Sequence, residues 1–224
     1  MLRHLVFDVN ETMLDVAALD PLFERLFGDS NIRVEWFLTL EEGWLTSTLV
    51  GAFKPFAELA QAALVMVGQR RGIDVSEAQC EELVNGMKSL PAHPDVRQAL
   101  EALRSEGLHL TALSNGSFQA VRQQLESSGL GDSFDAVLSV EQVQRYKPAP
   151  EPYRMVARQH GIETTQMMMV AAHAWDITGA AAAGCRTAFI ARPGKVLNPA
   201  GSQPDLHAED LQDFARQLLA WRQR

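Results

Sequence analysis

The chain has 224 residues, enough for one large domain or for a core with an inserted subdomain. Its 28 acidic and 20 basic residues give a formal charge of −8 without a basic cluster, which argues against a nucleic-acid partner. No stretch approaches the ~18 apolar residues of a membrane span, so we expect a cytoplasmic protein.

The first predicted element is a short apolar strand at residues 2–7 that runs directly into a polar segment. Asp8 follows this strand, and in an open α/β sheet ligands bind just beyond the carboxyl ends of the strands. Asp8 is therefore the first candidate for chemistry, as a nucleophile, a metal ligand or the cap of the next turn. Two residues later, Asn10 stands where a second acid could donate a proton, and an amide cannot exchange one near neutral pH.

Residues 16–90 show apolar side chains at helical spacing. They separate the first two predicted strands by roughly a hundred residues, far more than an ordinary crossover needs. We therefore predict an inserted helical cap at residues 16–90 and a core formed by residues 1–15 and 91–224. Four apolar cap residues are candidates either for packing inside the cap or for a homodimer surface: Phe53, Phe56, Leu64 and Val67.

Beyond the cap, short apolar runs alternate with helical patterns. This alternation is typical of βαβ units, so we predict an α/β fold with a Rossmann-like parallel sheet. The predicted strands after the first lie at residues 108–113, 136–140, 167–172 and 187–191. An amphipathic helix near the end of the chain is expected to pack onto the sheet.

Polar side chains follow these later strands as well. Ser114 and Asn115 end the second strand, where they could cap the next helix or hold an anion at its N-terminus. Lys147 precedes a proline after the third strand, and a lone lysine of this kind could equally be a surface residue. Asp176 follows the fourth strand and could cap a helix or orient Lys147. Together, an acid, a Ser-Asn pair, a lysine and a second acid on successive strand ends indicate one site.

This combination of motifs resembles the haloacid dehalogenase superfamily, most closely its L-2-haloacid dehalogenase branch. The resemblance covers essentially the whole chain, including the position of the cap. Three segments carry it: Ser114-Asn115-Gly116-Ser117, Tyr146-Lys147-Pro148 with Tyr153 six residues after the lysine, and Ala174-Trp175-Asp176 followed by Thr178-Gly179-Ala180. The implied protein is a hydrolase with a small-molecule substrate.

The resemblance implies a covalent mechanism that starts at Asp8. In this family, the aspartate after the first strand attacks the carbon that bears the halogen and displaces halide in line, which leaves an ester that water hydrolyses. Lys147 would offset the charge of the carboxylates, and Asp176 would orient Lys147 and the hydrolytic water. The substrate would be a small 2-haloacid, the products would be halide and a 2-hydroxy acid, and neither metal nor cofactor would take part.

The same resemblance implies a group of substrate-binding residues around the nucleophile. Thr12 and Ser114 would position the nucleophile and the substrate carboxylate, and Asn115 would help to hold the departing halide. Asn10 and Tyr153 are two further members of this predicted group.

This chain departs from the family pattern at three places. Asn10 replaces a usual aromatic residue, and Ala171 and His173 replace a serine and an asparagine. Phe37 aligns with the cap arginine that receives the substrate carboxylate and the halide, and Arg33, one helical turn earlier, could replace it. A buried anion that lacks the guanidinium would lose about 1.5–3 kcal/mol.

His173 could serve the second chemical step. A neutral imidazole near the ester could take a proton from the attacking water, so we expect a pKa near roughly 6.5. The alternative is a histidine that only forms a hydrogen bond at the end of its strand.

Two other functions stay open for this fold. A phosphatase of this fold uses an acid two residues after the nucleophile and a further acid for magnesium, but these positions hold Asn10 and Ala172. Halide leaves without a proton, so a dehalogenase needs neither acid. The other alternative is a weakly catalytic protein that binds a small anion, which Phe37 and the Ala171-Ala172 pair favour. Cys80 and Cys185 are far apart and predict neither a disulfide nor a zinc site.

Overall fold

The computed structural model describes residues 2–222, in which a parallel sheet is flanked by helices. The strands are β1 (His4–Phe7), β2 (His109–Ser114), β3 (Ala136–Ser139), β4 (Met167–Ala171), β5 (Arg186–Ile190) and β6 (Leu206–Ala208). The helices are α1 (Asp20–Phe27), α2 (Ile32–Val50), α3 (Phe56–Arg70), α4 (Glu77–Met87), α5 (Val96–Ser105), α6 (Phe118–Ser127), α7 (Pro150–His160), α8 (Ala174–Ala182) and α9 (Leu211–Arg222). Within this part of the chain, every helix is too short or too polar to cross a membrane.

All six strands run parallel, in the order β3-β2-β1-β4-β5-β6, which confirms the predicted α/β fold. Leu5 and Phe7 of β1 pack in one apolar cluster, and Val6 packs in a second one. Both faces of β1 are therefore buried, and this is why the strand is a continuous apolar run in the sequence. The strand order reverses at β1, so its carboxyl end is the point where open α/β sheets bind ligands.

Five of the six strands coincide with the apolar runs of the sequence, and β6 is the exception. β6 has three residues at the edge of the sheet, and Ala208 is its one buried side chain. A strand this short and this exposed has no periodic pattern that sequence analysis could detect.

The helices α1 to α4 all lie between β1 and β2 in the chain. At the two ends of this segment, the backbone N–H of Asp15 donates to the carbonyl of Pro91 at 2.8 Å, and Leu14 pairs with Ala92. The chain thus leaves and re-enters the core at one place. On this basis we propose that residues 16–90 form a cap on the core of residues 1–15 and 91–224.

The long helix α2 carries the apolar side chains that connect the cap to the site. Its Trp36 indole donates to the carbonyl of Ala60 on α3 at 2.9 Å, which fixes the two helices against each other. Phe37 and Trp44 are buried on the same helix. The helix ends at Gly51, whose φ of 72° is a left-handed conformation that glycine adopts without strain.

Two of the four cap residues predicted either to pack inside the cap or to form a homodimer surface are fully buried. These are Leu64 and Val67, so the homodimer surface is wrong for them and internal packing is correct. Phe53 and Phe56 are half-buried against the same apolar core, and for them the homodimer surface stays a prediction.

Candidate active site

Asp8 stands directly after β1 and is held on both carboxylate oxygens. Its Oδ1 accepts a hydrogen bond from Lys147 Nζ at 2.8 Å. Its Oδ2 accepts one from Thr12 Oγ1 at 2.7 Å and a second from His173 Nδ1 at 3.1 Å. Burial alone would raise the pKa of Asp8, but the Lys147 ammonium and the His173 hydrogen bond lower it well below its ordinary range. Asp8 is therefore an ionised, immobilised carboxylate.

Thr12 and Ser114 are fixed beside Asp8 by backbone groups. Thr12 Oγ1, which donates to Asp8, accepts a hydrogen bond from the backbone N–H of Ala172 at 2.9 Å. Ser114 Oγ accepts from the backbone N–H of Gly116 at 3.0 Å, at the carboxyl end of β2. Both predicted substrate-binding residues thus lie at the sheet edge that Asp8 occupies.

Lys147 is fully buried between two carboxylates. Its Nζ lies 2.8 Å from Asp8 Oδ1 and 2.7 Å from Asp176 Oδ2. Burial would lower the pKa of Lys147, but the charges of Asp176 and Asp8 raise it above its usual value. Lys147 is therefore a permanent ammonium that joins the two acids.

The backbone of Lys147 is held by Asn115. The N–H of Lys147 donates to Asn115 Oδ1 at 3.0 Å, and Asn115 Nδ2 reaches the carbonyl of Lys147 at 3.5 Å. The side-chain amide of Asn115 thereby positions Lys147. Asn115 itself lies at the same sheet edge as Asp8.

The helix α8 approaches the Lys147-Pro148 segment very closely at Gly179. A Cβ on Gly179 would lie 2.4 Å from Pro148 Cβ and 2.5 Å from its carbonyl oxygen. We expect Gly179→Ala to lower the free energy of unfolding by about 1–3 kcal/mol, because α8 or Pro148 must move. Urea unfolding followed by circular dichroism measures this change.

A matched control for this substitution is Gly43→Ala, at a helical glycine of α2. A Cβ on Gly43 would meet nothing closer than the Leu59 side chain at 3.6 Å. We expect Gly43→Ala to leave stability unchanged or to raise it by up to about 1 kcal/mol. Equal unfolding midpoints for the two alanine variants would contradict the argument from close packing.

Asp176 is fully buried and is held by Tyr153. Tyr153 Oη donates to Asp176 Oδ1 at 2.6 Å, while Lys147 holds Oδ2. Burial raises the pKa of Asp176, with a smaller contribution from the negative charge of Asp8. Tyr153 is fully buried, and its hydroxyl positions Asp176. Its predicted contact with substrate stays a prediction.

Asn10 is held by Gln124 of α6. Its Oδ1 accepts a hydrogen bond from Gln124 Nε2 at 2.9 Å, and the same nitrogen donates to the carbonyl of Met87 at 2.7 Å. Asn10 also lines a cavity of about 260 Å³ between cap and core, with Phe56 and Ser117 among the other lining residues. A small organic molecule fits such a volume.

His173 lies between two carboxylates and two aromatic rings. Nδ1 bonds to Asp8 Oδ2 at 3.1 Å, and Nε2 bonds to Glu11 Oε2 at 2.7 Å. The Phe37 ring stacks on the imidazole at 5.9 Å and 5°, and the Trp175 ring at 4.8 Å and 20°. Burial would lower the pKa of His173, but the hydrogen bonds to Asp8 and Glu11 raise it to about 9. This raised pKa favours an imidazolium in the unliganded protein, and the neutral imidazole expected beside the ester stays a prediction.

Glu11 and Lys195 belong to the site although the sequence analysis did not select them. Glu11 Oε2 accepts hydrogen bonds from both His173 and Lys195, at 2.7 and 2.5 Å. Burial would raise the pKa of Glu11, but His173 and Lys195 lower it to about 2. Glu11 is one residue of a polar turn and Lys195 follows the last motif by many residues, so neither has a distinguishing local pattern.

Phe37, which the sequence analysis predicts to replace a cap arginine, lies beside two cations. Lys195 Nζ lies 5.3 Å from the centre of the Phe37 ring, and the imidazolium of His173 stacks on it. Arg33 instead donates to Asp20 Oδ1 at 2.5 Å, with Glu11 Oε1 4.0 Å away. Because Asp20 engages its guanidinium, Arg33 is not a free replacement for the arginine, whereas His173 and Lys195 supply positive charge at this place.

The residues beside Asp8 do not fit a magnesium ion. The Lys147 ammonium fills the space between Asp8 and Asp176, and Ala172 has no ligand atom in its side chain. Across residues 2–222, no three His, Cys, Asp or Glu side chains are arranged to hold a metal ion.

The chain is similar to known proteins over nearly its whole length. A family model described as haloacid dehalogenase-like hydrolase matches residues 2–184. An (S)-2-haloacid dehalogenase of Pseudomonas putida is 29% identical over 96% of this chain and 97% of its own length. A haloacetate dehalogenase of Moraxella sp. (strain B) is 31% identical over 90% of this chain and 91% of its own. The structure of L-2-haloacid dehalogenase from Xanthobacter autotrophicus is similar with a TM-score of 0.91 at 25% identity, over 98% of this chain and 99% of that one.

Proposed function

Because the chain belongs to the haloacid dehalogenase-like hydrolase family, we propose that it hydrolyses the carbon–halogen bond of a small 2-haloacid without a metal or cofactor. The observation that carries this proposal is the state of Asp8, an ionised carboxylate held by Thr12, Lys147 and His173. A carboxylate in this state can act as a nucleophile and has no proton to donate. The products are halide and a 2-hydroxy acid.

In the first step, a carboxylate oxygen of Asp8 bonds to the carbon that bears the halogen. The halide leaves with the electron pair of the broken bond and needs no proton. The indole N–H of Trp44 supports a halide site nearby, because it is buried without a hydrogen-bond partner among the described residues, whereas the indole N–H of Trp175 faces Glu41. Their rings are 5.7 Å apart in one aromatic cluster. Lys195 is the cation that would face the substrate carboxylate beside Phe37.

In the second step, water attacks the ester of Asp8 and restores its carboxylate. Lys147 stays within hydrogen-bond distance of Asp8 and stabilises the negative charge that develops on the ester oxygen. Asp176 orients Lys147, and Tyr153 orients Asp176. We assign Ser114 and Thr12 to the positioning of the reacting groups and Asn115 to the positioning of Lys147 and the halide.

The alternative phosphatase activity has less support. A leaving alcohol needs a proton, and Asn10 cannot supply one. The oxygen of its amide also accepts from Gln124. No observation favours this activity over halide displacement.

Halide release from haloacetates and from both enantiomers of 2-chloropropionate and 2-bromopropionate tests the proposal. We expect release at the same rate with a metal chelator and with added magnesium, because no step needs a cation. The matched control is p-nitrophenyl phosphate with magnesium, which we expect to stay intact. Release that stops in chelator and returns with magnesium, or hydrolysis of the phosphate ester alone, would contradict the proposal.

The cytoplasmic location and the homodimer stay predictions of the sequence analysis. The substrate proposed here is a small molecule.

A further inference from the structure

Asp8, His173 and Glu11 form an acid–imidazole–acid chain inside the site. The imidazole donates from Nδ1 to Asp8 at 3.1 Å and from Nε2 to Glu11 at 2.7 Å. His173 is 5% exposed, so these two carboxylates and not bulk water satisfy its N–H groups. The reaction changes the charge of one of these carboxylates, Asp8, and leaves that of Glu11 unchanged.

We propose that Glu11 is a positioning residue that keeps His173 protonated in the resting enzyme, and that ester formation on Asp8 releases this proton and turns His173 into the base for ester hydrolysis. This inference rests on the proposed function. It assigns Glu11 a task that none of the motifs assigns, and it explains how a protonated histidine becomes a base only when one is needed.

The charge of Asp8 decides the protonation of His173. In the resting site, hydrogen bonds to Asp8 and Glu11 raise the pKa of the imidazole to about 9, although burial opposes this. An ester on Asp8 carries no charge, so His173 then keeps Glu11 as its one hydrogen-bonded anion. We therefore expect the pKa of His173 to fall towards its ordinary value when the ester forms.

Several other charged groups near His173 keep their charge during this change. They are Glu41 on α2, Lys195 after β5, Lys147 after β3 and Asp176 on α8. Lys195 bonds to Glu11, and Lys147 bonds to Asp8 and Asp176, so each is paired before and after ester formation. The carboxyl of Glu41 has its pKa raised by burial. Ester formation therefore changes the charge of Asp8 alone among the groups that face His173.

The two steps balance in atoms and charge. In the first, an Asp8 oxygen bonds to carbon, halide leaves with the electron pair, and the imidazolium gives its proton to solvent. In the second, His173 takes a proton from water while the water oxygen bonds to Cγ of Asp8. The bond from Cγ to the alkyl oxygen then breaks, and the alcohol leaves with the remaining water proton. Asp8 is again a carboxylate and His173 is again an imidazolium.

Asp8→Asn provides a direct test, because the amide removes the charge of Asp8 without changing its shape. Nitrogen-15 NMR of the imidazoles measures the titration, and the signals missing in His173→Asn assign His173. In the wild type, we expect both His173 nitrogens to stay protonated up to a pKa of about 9. In Asp8→Asn and in Glu11→Gln, we expect this pKa to fall by about 1–3 units.

The matched control is Glu42→Gln, at an exposed acid of α2 next to Glu41. We expect it to leave the titration of His173 unchanged. A neutral His173 in the wild type near neutral pH, or a titration that Asp8→Asn does not move, would overturn the inference. The NMR titration of His173 needs no turnover. It can therefore fail while halide is still released, whereas a failure of halide release would overturn the proposed function.

Single-turnover kinetics test the role of Glu11 in catalysis. Rapid quenching followed by protein mass spectrometry separates ester formation from ester hydrolysis. We expect His173→Asn to slow ester hydrolysis about 10²-fold or more, the usual effect of losing a general base, and to slow ester formation much less, because the asparagine amide can still donate to Asp8. In Glu11→Gln, the rising limb of the hydrolysis rate against pH should move to lower pH by about one unit, with a lower plateau.

Glu11→Asp is the rescue variant for this role. It keeps the carboxylate, and aspartate tolerates the left-handed backbone that Glu11 adopts with φ of 63°. We expect Glu11→Asp to return the pH profile towards that of the wild type. A purely structural role of Glu11 would instead slow both steps equally without moving the profile, and that result would overturn the inference.

Discussion

Asp8→Asn is expected to lower the rate of halide release by roughly 10⁴-fold or more, because the amide oxygen is a far weaker nucleophile than a carboxylate. The substitution keeps the size of the side chain, and its oxygen can still accept from Lys147. We therefore expect the variant to fold, with the buried pair of Lys147 and Asp176 intact. Halide release and protein mass spectrometry for the trapped ester measure the effect.

Asp15→Asn is the matched control for this nucleophile. Asp15 is a nearby carboxylate whose Oδ1 accepts from the backbone N–H of Ala17 at 2.9 Å, a role that asparagine can also fill. We expect Asp15→Asn to release halide at nearly the wild-type rate. If Asp8→Asn released halide at a rate close to that of Asp15→Asn, an attack by Asp8 would be ruled out.

The sheet and the centre of the site could be predicted because their signals are local. Each buried strand is a short apolar run, and Asp8, Ser114, Lys147 and Asp176 each follow such a run. Parallel strands end at one edge of the sheet, so the polar residues that follow them lie close together. The structure brings these four side chains together as expected, and the similarity to dehalogenases over nearly the whole chain confirms the family resemblance.

The charged surroundings of Phe37 could not be predicted in this way. Glu11 meets His173 across 162 positions of the chain and Lys195 across 184, and no spacing rule links residues so far apart. The raised pKa of His173 depends on the contacts of its two ring nitrogens with the carboxylates of Asp8 and Glu11. A sequence does not show that these three side chains lie within hydrogen-bond distance. The same holds for Tyr153, whose motif position gives no indication that its hydroxyl donates to Asp176.

Lys147→Met should have the largest effect on stability. We expect a loss of about 3–5 kcal/mol in the free energy of unfolding, because the substitution leaves Asp8 and Asp176 buried without their shared cation. Lys147 is fully buried and lies 2.8 and 2.7 Å from these acids, so water cannot replace the ammonium without rearrangement. Halide release should fall as well, since the ester oxygen loses the charge that stabilises it.

The loss of unfolding free energy in Lys147→Met should increase as the pH rises. Without the lysine, the pKa values of the two buried carboxyls rise above those of the unfolded chain, so the folded variant binds more protons than the unfolded one. Its stability then falls as pH rises, and the deficit relative to wild type should be larger at about pH 8 than at about pH 5. Urea unfolding at both pH values measures the difference.

Two further variants separate this electrostatic effect from lost packing. Adding Asp176→Asn to Lys147→Met removes one of the two uncompensated charges, so the double variant should recover part of the stability but none of the activity. Lys54→Met, at a surface lysine whose side chain is 57% exposed beside Glu58, should change stability by about 1 kcal/mol or less. The loss of unfolding free energy in Lys147→Met could instead be independent of pH and unchanged in the double variant. Lys147 would then only fill space in the core, and its charge would not explain why it lies between two buried acids.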